Sequence, residues 1–73
     1  MPRLPALSAK EVIKALSGFG FYPVRQTGSH VHLWNPQKRI LVTVPNHPEL
    51  ARGTLLAIIK QAKLGKSEFL RAF

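Results

Sequence analysis

The first regular pattern of apolar residues in the chain has the period of an α-helix. Between residues 12 and 19, apolar side chains recur three or four positions apart, which places them on one face of a helix. Ser8 and Glu11 have the spacing of a capping box, in which each side chain bonds a free backbone amide of the first turn. Gly18 and Gly20 can end the helix in a left-handed conformation. We therefore predict a first helix that begins at this capping box, after an irregular lead-in that contains two prolines.

Three short segments after this helix have the composition of β-strands. They read YPVRQ, SHVHLW and RILVTV, and they are separated by TG and by NPQK. The second connection has good turn chemistry, because Pro36 presets the backbone dihedral of the second turn position and Asn35 suits the first. Pro23 has no N–H for a ladder hydrogen bond, which confines its strand to an edge. These segments predict a three-stranded antiparallel sheet.

One antiparallel register places the apolar residues of all three strands on the same face, because strand side chains alternate between the two faces. The predicted pairs are Val24–Val31, Arg25–His30, Val31–Val42 and Arg39–Trp34. The predicted core face consists of Tyr22, Val24, Val31, Leu33, Ile40, Val42 and Val44. The predicted open face consists of Arg25, His30, His32, Trp34, Arg39, Leu41 and Thr43.

A second apolar pattern of helical period follows the strands. Thr54 is the predicted N-cap of this helix, and its buried stripe is predicted to be Leu55, Ile58, Ile59 and Ala62. The last segment, KSEFLRAF, is expected to pack Phe69 and Leu70 against the core. The order of helix, three strands and helix predicts an α+β fold of two layers, with both helices on one face of the sheet. We expect a single domain over residues 1–73, with its core over about residues 8–70.

The length and composition of the chain restrict its class. A chain of 73 residues buries only about 60% of its unfolded surface, so its core is small. It contains no cysteine, which excludes disulfides and thiolate metal sites. The longest apolar runs, ILVTV and LLAII, are far shorter than the roughly 20 residues of a membrane-spanning helix. The first residues lack the apolar stretch of a signal peptide, and we expect a cytoplasmic protein.

The charge balance of the chain is strongly basic. Eleven Lys and Arg residues against three Asp and Glu residues give a net charge of +8. A charge of this size on so small a protein favours a polyanionic partner, and nucleic acid is the first candidate. A solubilising surface and a cationic patch for an acidic protein are the alternatives, and charge alone does not separate them.

Two histidines stand two positions apart on the predicted open face. His30 and His32 are then about 7 Å apart along the strand, with Arg25 nearby. Cleavage of RNA without a metal needs a base for the 2′-hydroxyl proton, an acid for the leaving 5′-oxygen, and cations for the phosphate. Imidazole suits both proton steps near neutral pH, and guanidinium suits the phosphate. The pattern therefore indicates a phosphodiester site.

Each of these residues also has a simpler interpretation. A histidine on an exposed strand is most often a tolerated polar residue, and His47 fits a loop between two prolines. Trp34 could stack on a base or pack against a protein partner. His30 and His32 could supply two zinc ligands, but no cysteine or neighbouring carboxylate completes a set. Ser29 has no acidic partner nearby for a nucleophilic triad.

Nearly the whole chain resembles a known family. The stretches KEVIKALSGFGFYPVRQTGSHVHLW, VTVPNHPELARGTLLAIIKQAK and EFL are similar to the HicA (YcfA-like) toxins of bacterial toxin–antitoxin pairs. The landmarks are Gly20-Phe21, Arg25, Gly28-Ser29-His30, Pro45 with His47, and Gly53-Thr54-Leu55. Two positions depart from the family pattern: Asn46 stands where a basic residue is common, and Lys63 stands where a glycine is common.

The resemblance implies a fold, an activity and a partner. The fold is that of a double-stranded-RNA-binding domain, and the activity is that of an mRNA interferase that cleaves RNA without a metal or other cofactor. The catalytic histidine of the glycine-serine-histidine motif corresponds to His30. The partner is a HicB-type antitoxin that covers the active site, and the complex commonly represses its own operon through the antitoxin.

We predict a toxin endoribonuclease that acts on mRNA, with His30 as general acid or base and no membrane partner. The predicted RNA and phosphate contacts are Arg25, Ser29, His32, Lys38 and Arg39. His32 is not part of the family motif, and its role as a second proton-transfer group is a separate hypothesis. Two alternatives stay open: a noncatalytic RNA-binding domain, and an interaction module that only engages an acidic antitoxin.

Overall fold

The computed structural model describes residues 4–73 and contains a helix, three strands and two further helices. The helices are α1 (Ala9–Ser17), α2 (Arg52–Gln61) and α3 (Lys66–Leu70), and the strands are β1 (Tyr22–Thr27), β2 (His30–Asn35) and β3 (Ile40–Pro45). The predicted α+β order is confirmed, and the C-terminal segment adds α3. No helix among the described residues is long and apolar enough to cross a membrane.

Helix α1 begins at the predicted capping box. The amide of Glu11 donates to Ser8 Oγ at 3.2 Å, and the amide of Ser8 donates to Glu11 Oε1 at 3.0 Å. The amide of Ala9 is also satisfied, because it donates to the carbonyl of His47 at 3.0 Å. This bond ties the start of α1 to the segment that follows β3. The irregular lead-in is confirmed over residues 4–7, and its first three residues lie outside the described range.

Helix α1 ends in a left-handed cap at Gly20. Gly18 still has a right-handed backbone, with φ of −67°, whereas Gly20 has φ of +91°. The amide of Phe21 donates to the carbonyl of Leu16, and the amide of Gly20 donates to the carbonyl of Ser17. These two bonds form a Schellman motif. The prediction of a left-handed cap is confirmed, and the residue that supplies it is Gly20.

The three strands form one antiparallel sheet in the order β1-β2-β3. The predicted pairing of β2 with β3 is wrong by two residues, since Val31 lies opposite Val44 and Leu33 lies opposite Val42. A shift of two residues leaves each side chain on its predicted face, because the side-chain period of a strand is two. All four of these residues are buried, as predicted.

The predicted places of Tyr22 and Val24 on the core face are wrong. The register of β1 against β2 changes between Pro23 and Arg25, which is the signature of a β-bulge. The extra residue reverses the alternation, so Tyr22 lies opposite Trp34 on the open face. Tyr22 is 56% exposed and Val24 is 58% exposed.

The two turns between the strands correct two predicted pairs that involve arginines. Arg25 lies opposite His32, and His30 lies opposite Thr27, so the predicted pairing of Arg25 with His30 is wrong. Arg39 was predicted opposite Trp34, but it lies in the β2–β3 turn with φ of +58°. Its amide donates to the carbonyl of Asn35 at 2.7 Å and closes the turn.

The core lies between the sheet and the helices. The predicted stripe of α2 is confirmed as buried, and Phe69 of α3 is fully buried, with Leu70 partly buried against it. Buried residues from every element except β1 meet in one cluster: Leu7, Ala9, Val12, Ala15, Leu16, Phe21, Val31, Leu33, Val42, Val44, Leu50, Leu55, Ile58, Ile59, Ala62, Leu64 and Phe69. Because the helices cover this face, the opposite face of the sheet is left open.

Helix α2 begins earlier than predicted. The amide of Leu55 donates to the carbonyl of Ala51 at 2.9 Å, which makes residues 52–54 the first helical turn. Thr54 is therefore inside the helix and is not its N-cap. At the other end Lys63 has φ of +58°, a conformation that favours glycine. This backbone explains why a glycine suits that position in the family pattern.

Asn35 is the one buried polar residue of the described chain, with 2% of its surface exposed. Its Nδ2 donates to the carbonyl of Phe19 at 3.1 Å. Its Oδ1 accepts from the amides of Gln37 and Lys38 at 3.0 and 2.9 Å. A Cβ atom on Gly20 would lie 3.2 Å from Asn35 Nδ2. Asn35 thus joins the β2–β3 turn to the end of α1.

Candidate nucleic-acid interface

The open face of the sheet is built from three rows of residues that lie directly opposite one another on β1, β2 and β3. The first row is Thr27, His30 and Pro45, the second is Arg25, His32 and Thr43, and the third is Tyr22, Trp34 and Leu41. The β-bulge brings Tyr22 into the third row. We use "open face" for these nine residues.

His30 lies at the end of the open face, as the first residue of β2. Its side chain is exposed, and among residues 4–73 its imidazole makes no hydrogen bond. The backbone around it is fixed, because the carbonyl of Ser29 accepts from the amide of Asn46 at 2.6 Å. This bond brings the GSH motif (residues 28–30) and the PNH segment (residues 45–47) together at one end of the sheet. An imidazole on a fixed backbone, without a protein partner, is available to a ligand.

His32 has a different environment from His30. Its Nε2 lies 2.7 Å from Thr27 Oγ1, and its Nδ1 lies 3.0 Å from Thr43 Oγ1. The ring is partly buried and links all three strands. A hydroxyl group can donate or accept, so both tautomers of the ring are satisfied by these partners. The position of this imidazole is therefore fixed at both nitrogens.

Arg25 is the cation closest in register to the two histidines. It is exposed on β1 directly opposite His32 and therefore diagonal to His30. Diagonal neighbours on an antiparallel pair lie about 7–8 Å apart, a distance that an arginine side chain can span. The guanidinium can thus reach a phosphate that contacts the His30 imidazole.

Lys38 and Arg39 lie at the other end of the sheet. Both are exposed in the turn after Asn35, and β2 runs from His30 to Asn35. Five residue steps along a strand cover about 17 Å. The structure therefore does not bring these two cations to His30, and it divides the predicted RNA contacts into two groups. Arg25, Ser29 and His32 lie near His30, whereas Lys38 and Arg39 lie beyond Trp34.

None of the three acidic residues of the chain belongs to a strand of the sheet. The three are Glu11 in α1, Glu49 in the segment between β3 and α2, and Glu68 in α3. No carboxylate therefore lies on a strand or in a turn between strands. Among residues 4–73, no group of three His, Cys, Asp or Glu side chains could hold a metal ion. The open face combines imidazole, guanidinium, hydroxyl and aromatic groups.

A comparison with known protein families identifies the family of this chain. A family model described as the HicA toxin of bacterial toxin–antitoxin systems matches residues 9–64, more than half of the chain. The chain belongs to the HicA toxin family. A search of curated protein sequences found no significant match. The match to the HicA family includes all three strands and ends before α3.

Three structural features of this HicA family member were missed in the sequence. Tyr22 was assigned to the core, Thr27 was assigned to a hairpin tip, and Asn35 was predicted only as a turn residue. The alternation pattern cannot show Tyr22 on the open face, because it assumes an uninterrupted strand. The Asn35-Pro36 pair does indicate the hydrogen bonds of the Asn35 side chain, since asparagine side chains in turns bond backbone amides two and three residues ahead.

Proposed function

We propose that this HicA family member is an mRNA interferase, an endoribonuclease that uses His30 as general acid or base. The observation that carries the proposal is the position of His30: an exposed imidazole on a fixed backbone, diagonal to Arg25, in a toxin of this family. The net charge of +8 supports an RNA substrate. We further propose a cytoplasmic location and a HicB-type antitoxin that covers the open face.

The proposed reaction is an internal transesterification of RNA. The 2′-oxygen attacks the neighbouring phosphorus, the bond from phosphorus to the 5′-oxygen breaks, and a proton passes from the 2′-hydroxyl to the leaving 5′-oxygen. The products are a 2′,3′-cyclic phosphate and a 5′-hydroxyl. His30 transfers a proton at one of these oxygens, and Arg25 stabilises the charge that develops on the phosphate.

The two groups of cations have different roles in this proposal. Arg25 and Ser29 hold the phosphate that is cleaved. Lys38 and Arg39 are too far along the sheet for that phosphate, so they hold the RNA backbone at a distance from it. Such backbone contacts release counterions, and salt therefore weakens the binding of RNA.

RNA with 2′-O-methyl groups is expected to resist this protein, because a methylated oxygen has no proton to lose and cannot attack the phosphorus. Ordinary RNA of the same sequence is expected to be cleaved in EDTA. Gel electrophoresis measures cleavage, and phosphatase and kinase treatment identify the ends. Equal cleavage of the methylated RNA, or products that carry a 5′-phosphate, would contradict the proposed reaction.

His32→Ala is expected to slow cleavage, since a single histidine cannot easily serve both oxygens at once. The hypothesis of a second proton-transfer group predicts a loss on the order of 10²-fold and the disappearance of one limb of the pH–rate profile. The hydrogen bonds of His32 to Thr27 and Thr43 support a different role, in which His32 positions the neighbouring strands and transfers no proton. Near-normal activity of the variant rejects both roles.

His32→Gln separates the two roles. The Gln amide can still bond a threonine hydroxyl across the strands but cannot transfer a proton at neutral pH. Recovery of activity in His32→Gln, with an unchanged pH–rate profile, assigns His32 to positioning. Loss of activity in both variants, with both proteins folded, assigns it to proton transfer.

A further inference from the structure

The third row of the open face exposes two large apolar side chains and part of a third. Tyr22 is 56% exposed and Leu41 is 50% exposed, and Trp34 lies between them on the middle strand, partly buried. The three side chains are directly opposite one another across the whole sheet. We call these three residues the stacking row. Its two aromatic residues, Tyr22 and Trp34, are paired across β1 and β2.

The stacking row does not belong to the hydrophobic core. The helices pack on the other face of the sheet, and none of its residues is in the buried cluster. Tyr22 reaches the row only because of the bulge between Pro23 and Arg25. Without that bulge Tyr22 would alternate onto the core face, so the fold places a second aromatic ring beside Trp34 on the open side.

Cationic residues lie on both sides of the stacking row along the sheet. Arg25 is in the next row toward His30, and Lys38 and Arg39 are in the turn that follows the strand of Trp34. The three acidic residues of the chain lie elsewhere, in α1, α3 and the segment before α2. The matching partner therefore has flat apolar surfaces together with repeated negative charge. Single-stranded nucleic acid has both, because its unpaired bases stack on aromatic side chains while its phosphates contact cations.

We propose that the stacking row binds an unpaired base of the RNA substrate and makes the protein selective for single-stranded RNA. This inference rests on the proposed ribonuclease function and adds a substrate class to it. A duplex keeps its bases stacked on each other and leaves no free face for Trp34 and Tyr22. The open face then holds one strand of RNA, with a phosphate at His30 and a base on the stacking row.

The position of the row sets which base is recognised. Trp34 is four residues from His30 on the same strand, and four steps cover about 13 Å. An RNA strand spans that distance in a few nucleotides. The recognised base is therefore separated from the cleaved bond, and the cations beyond Trp34 hold the next part of the backbone.

Trp34 provides a direct test because it is the only tryptophan of the chain. The His30→Ala protein is used so that the RNA stays intact during a titration. A single-stranded RNA oligonucleotide is expected to quench Trp34 fluorescence as it binds. An oligonucleotide of abasic ribose phosphate and a blunt RNA duplex are expected to bind through charge with little quenching. Equal quenching by all three probes, or binding of the single strand without quenching, overturns the proposal.

Substitutions supply a second readout that does not depend on fluorescence. Trp34→Ala and Tyr22→Ala are each expected to weaken binding of the single strand about 5- to 150-fold, the range found when one base loses its aromatic partner. Trp34→Phe keeps an aromatic ring and is expected to retain most of the affinity. Val24→Ala is the matched control, since Val24 is an equally exposed apolar residue of β1 outside the stacking row. Equal losses in Val24→Ala and Trp34→Ala contradict the proposal.

The outcomes also separate this inference from the proposed function. If single-stranded RNA quenches Trp34 fluorescence but the wild type does not cleave RNA, the proposed role of the stacking row stands and the proposed ribonuclease function is rejected. If Trp34→Ala and Tyr22→Ala cleave RNA as fast as the wild type, the proposed ribonuclease function stands and the proposed role of the stacking row is rejected. If those two variants bind RNA normally but fail to bind a HicB-type antitoxin, the row is a protein interface and the inference is wrong. Circular dichroism confirms that each variant is folded.

Discussion

His30→Ala is expected to lower RNA cleavage by about 10²- to 10⁴-fold, the range that a positioned general acid or base contributes. Folding and RNA affinity are expected to stay close to those of the wild type. The imidazole is exposed and makes no hydrogen bond within residues 4–73, so its removal leaves no buried group unsatisfied. The measurement is cleavage of one RNA in EDTA by both purified proteins, with affinity measured on a 2′-O-methyl copy of that RNA.

His47→Ala is the matched control for this experiment. His47 is also exposed, its ring makes no hydrogen bond within the described residues, and its hydrogen bonds to the fold come from its backbone. The same side chain is therefore removed from a loop rather than from the open face, and we expect activity within a few-fold of the wild type. An equal loss in the two variants would show that His30 has no special part in the chemistry.

The other outcomes of the His30 experiment point to the alternative functions. Intact RNA with both wild type and variant, despite tight binding, favours a noncatalytic RNA-binding domain. Equal cleavage by both places the chemistry at another residue. Expression in growing cells without an antitoxin adds a second measurement: the wild type is expected to arrest growth and His30→Ala to relieve the arrest.

Asn35→Ala is expected to lower the free energy of unfolding by about 2–3 kcal/mol, because it removes three hydrogen bonds at a buried site and each contributes about 1 kcal/mol. The carbonyl of Phe19 loses its donor, and the amides of Gln37 and Lys38 lose their acceptor. For a domain of this size such a loss lowers Tm by on the order of 10–20 °C. Thermal unfolding followed by circular dichroism measures it.

Asn46→Ala is the control for Asn35, since it removes the same side chain from an exposed position. Among residues 4–73, Asn46 makes a hydrogen bond only through its backbone amide, and the substitution keeps that amide. We expect its Tm to change by only a few degrees. If Asn35→Ala is as stable as Asn46→Ala, the link between the β2–β3 turn and the end of α1 has no energetic role.

Local chemistry along the chain was sufficient to predict most of the fold. The capping box at Ser8, the left-handed glycine after α1 and the stripe of α2 each depend on residues within one or two turns of a helix. The buried faces of β2 and β3 were also correct, although their pairing was shifted by two residues. Alternation alone determines the face of a side chain, so a shift of two does not affect it.

The sequence was sufficient to predict several individual residues of the candidate site and the face of the sheet that they occupy. The GSH motif and the family resemblance located His30, and alternation placed Arg25, His32 and Trp34 on the same open face. The partners of these side chains were not predictable in the same way. Arg25 was paired with the wrong histidine, and Arg39 was placed on a strand although it closes a turn.

The sequence by itself determined the kinds of elements, their order, their buried faces and the histidine of the motif, because these follow from local propensities and periodicity. Only the tertiary structure decided the register, the bulge and the contacts between strands. Strand pairing depends on residues far apart in the chain and on a turn in which the side chain of Asn35 accepts two backbone hydrogen bonds. That packing moves Tyr22 to the open face and holds His32 between two threonines.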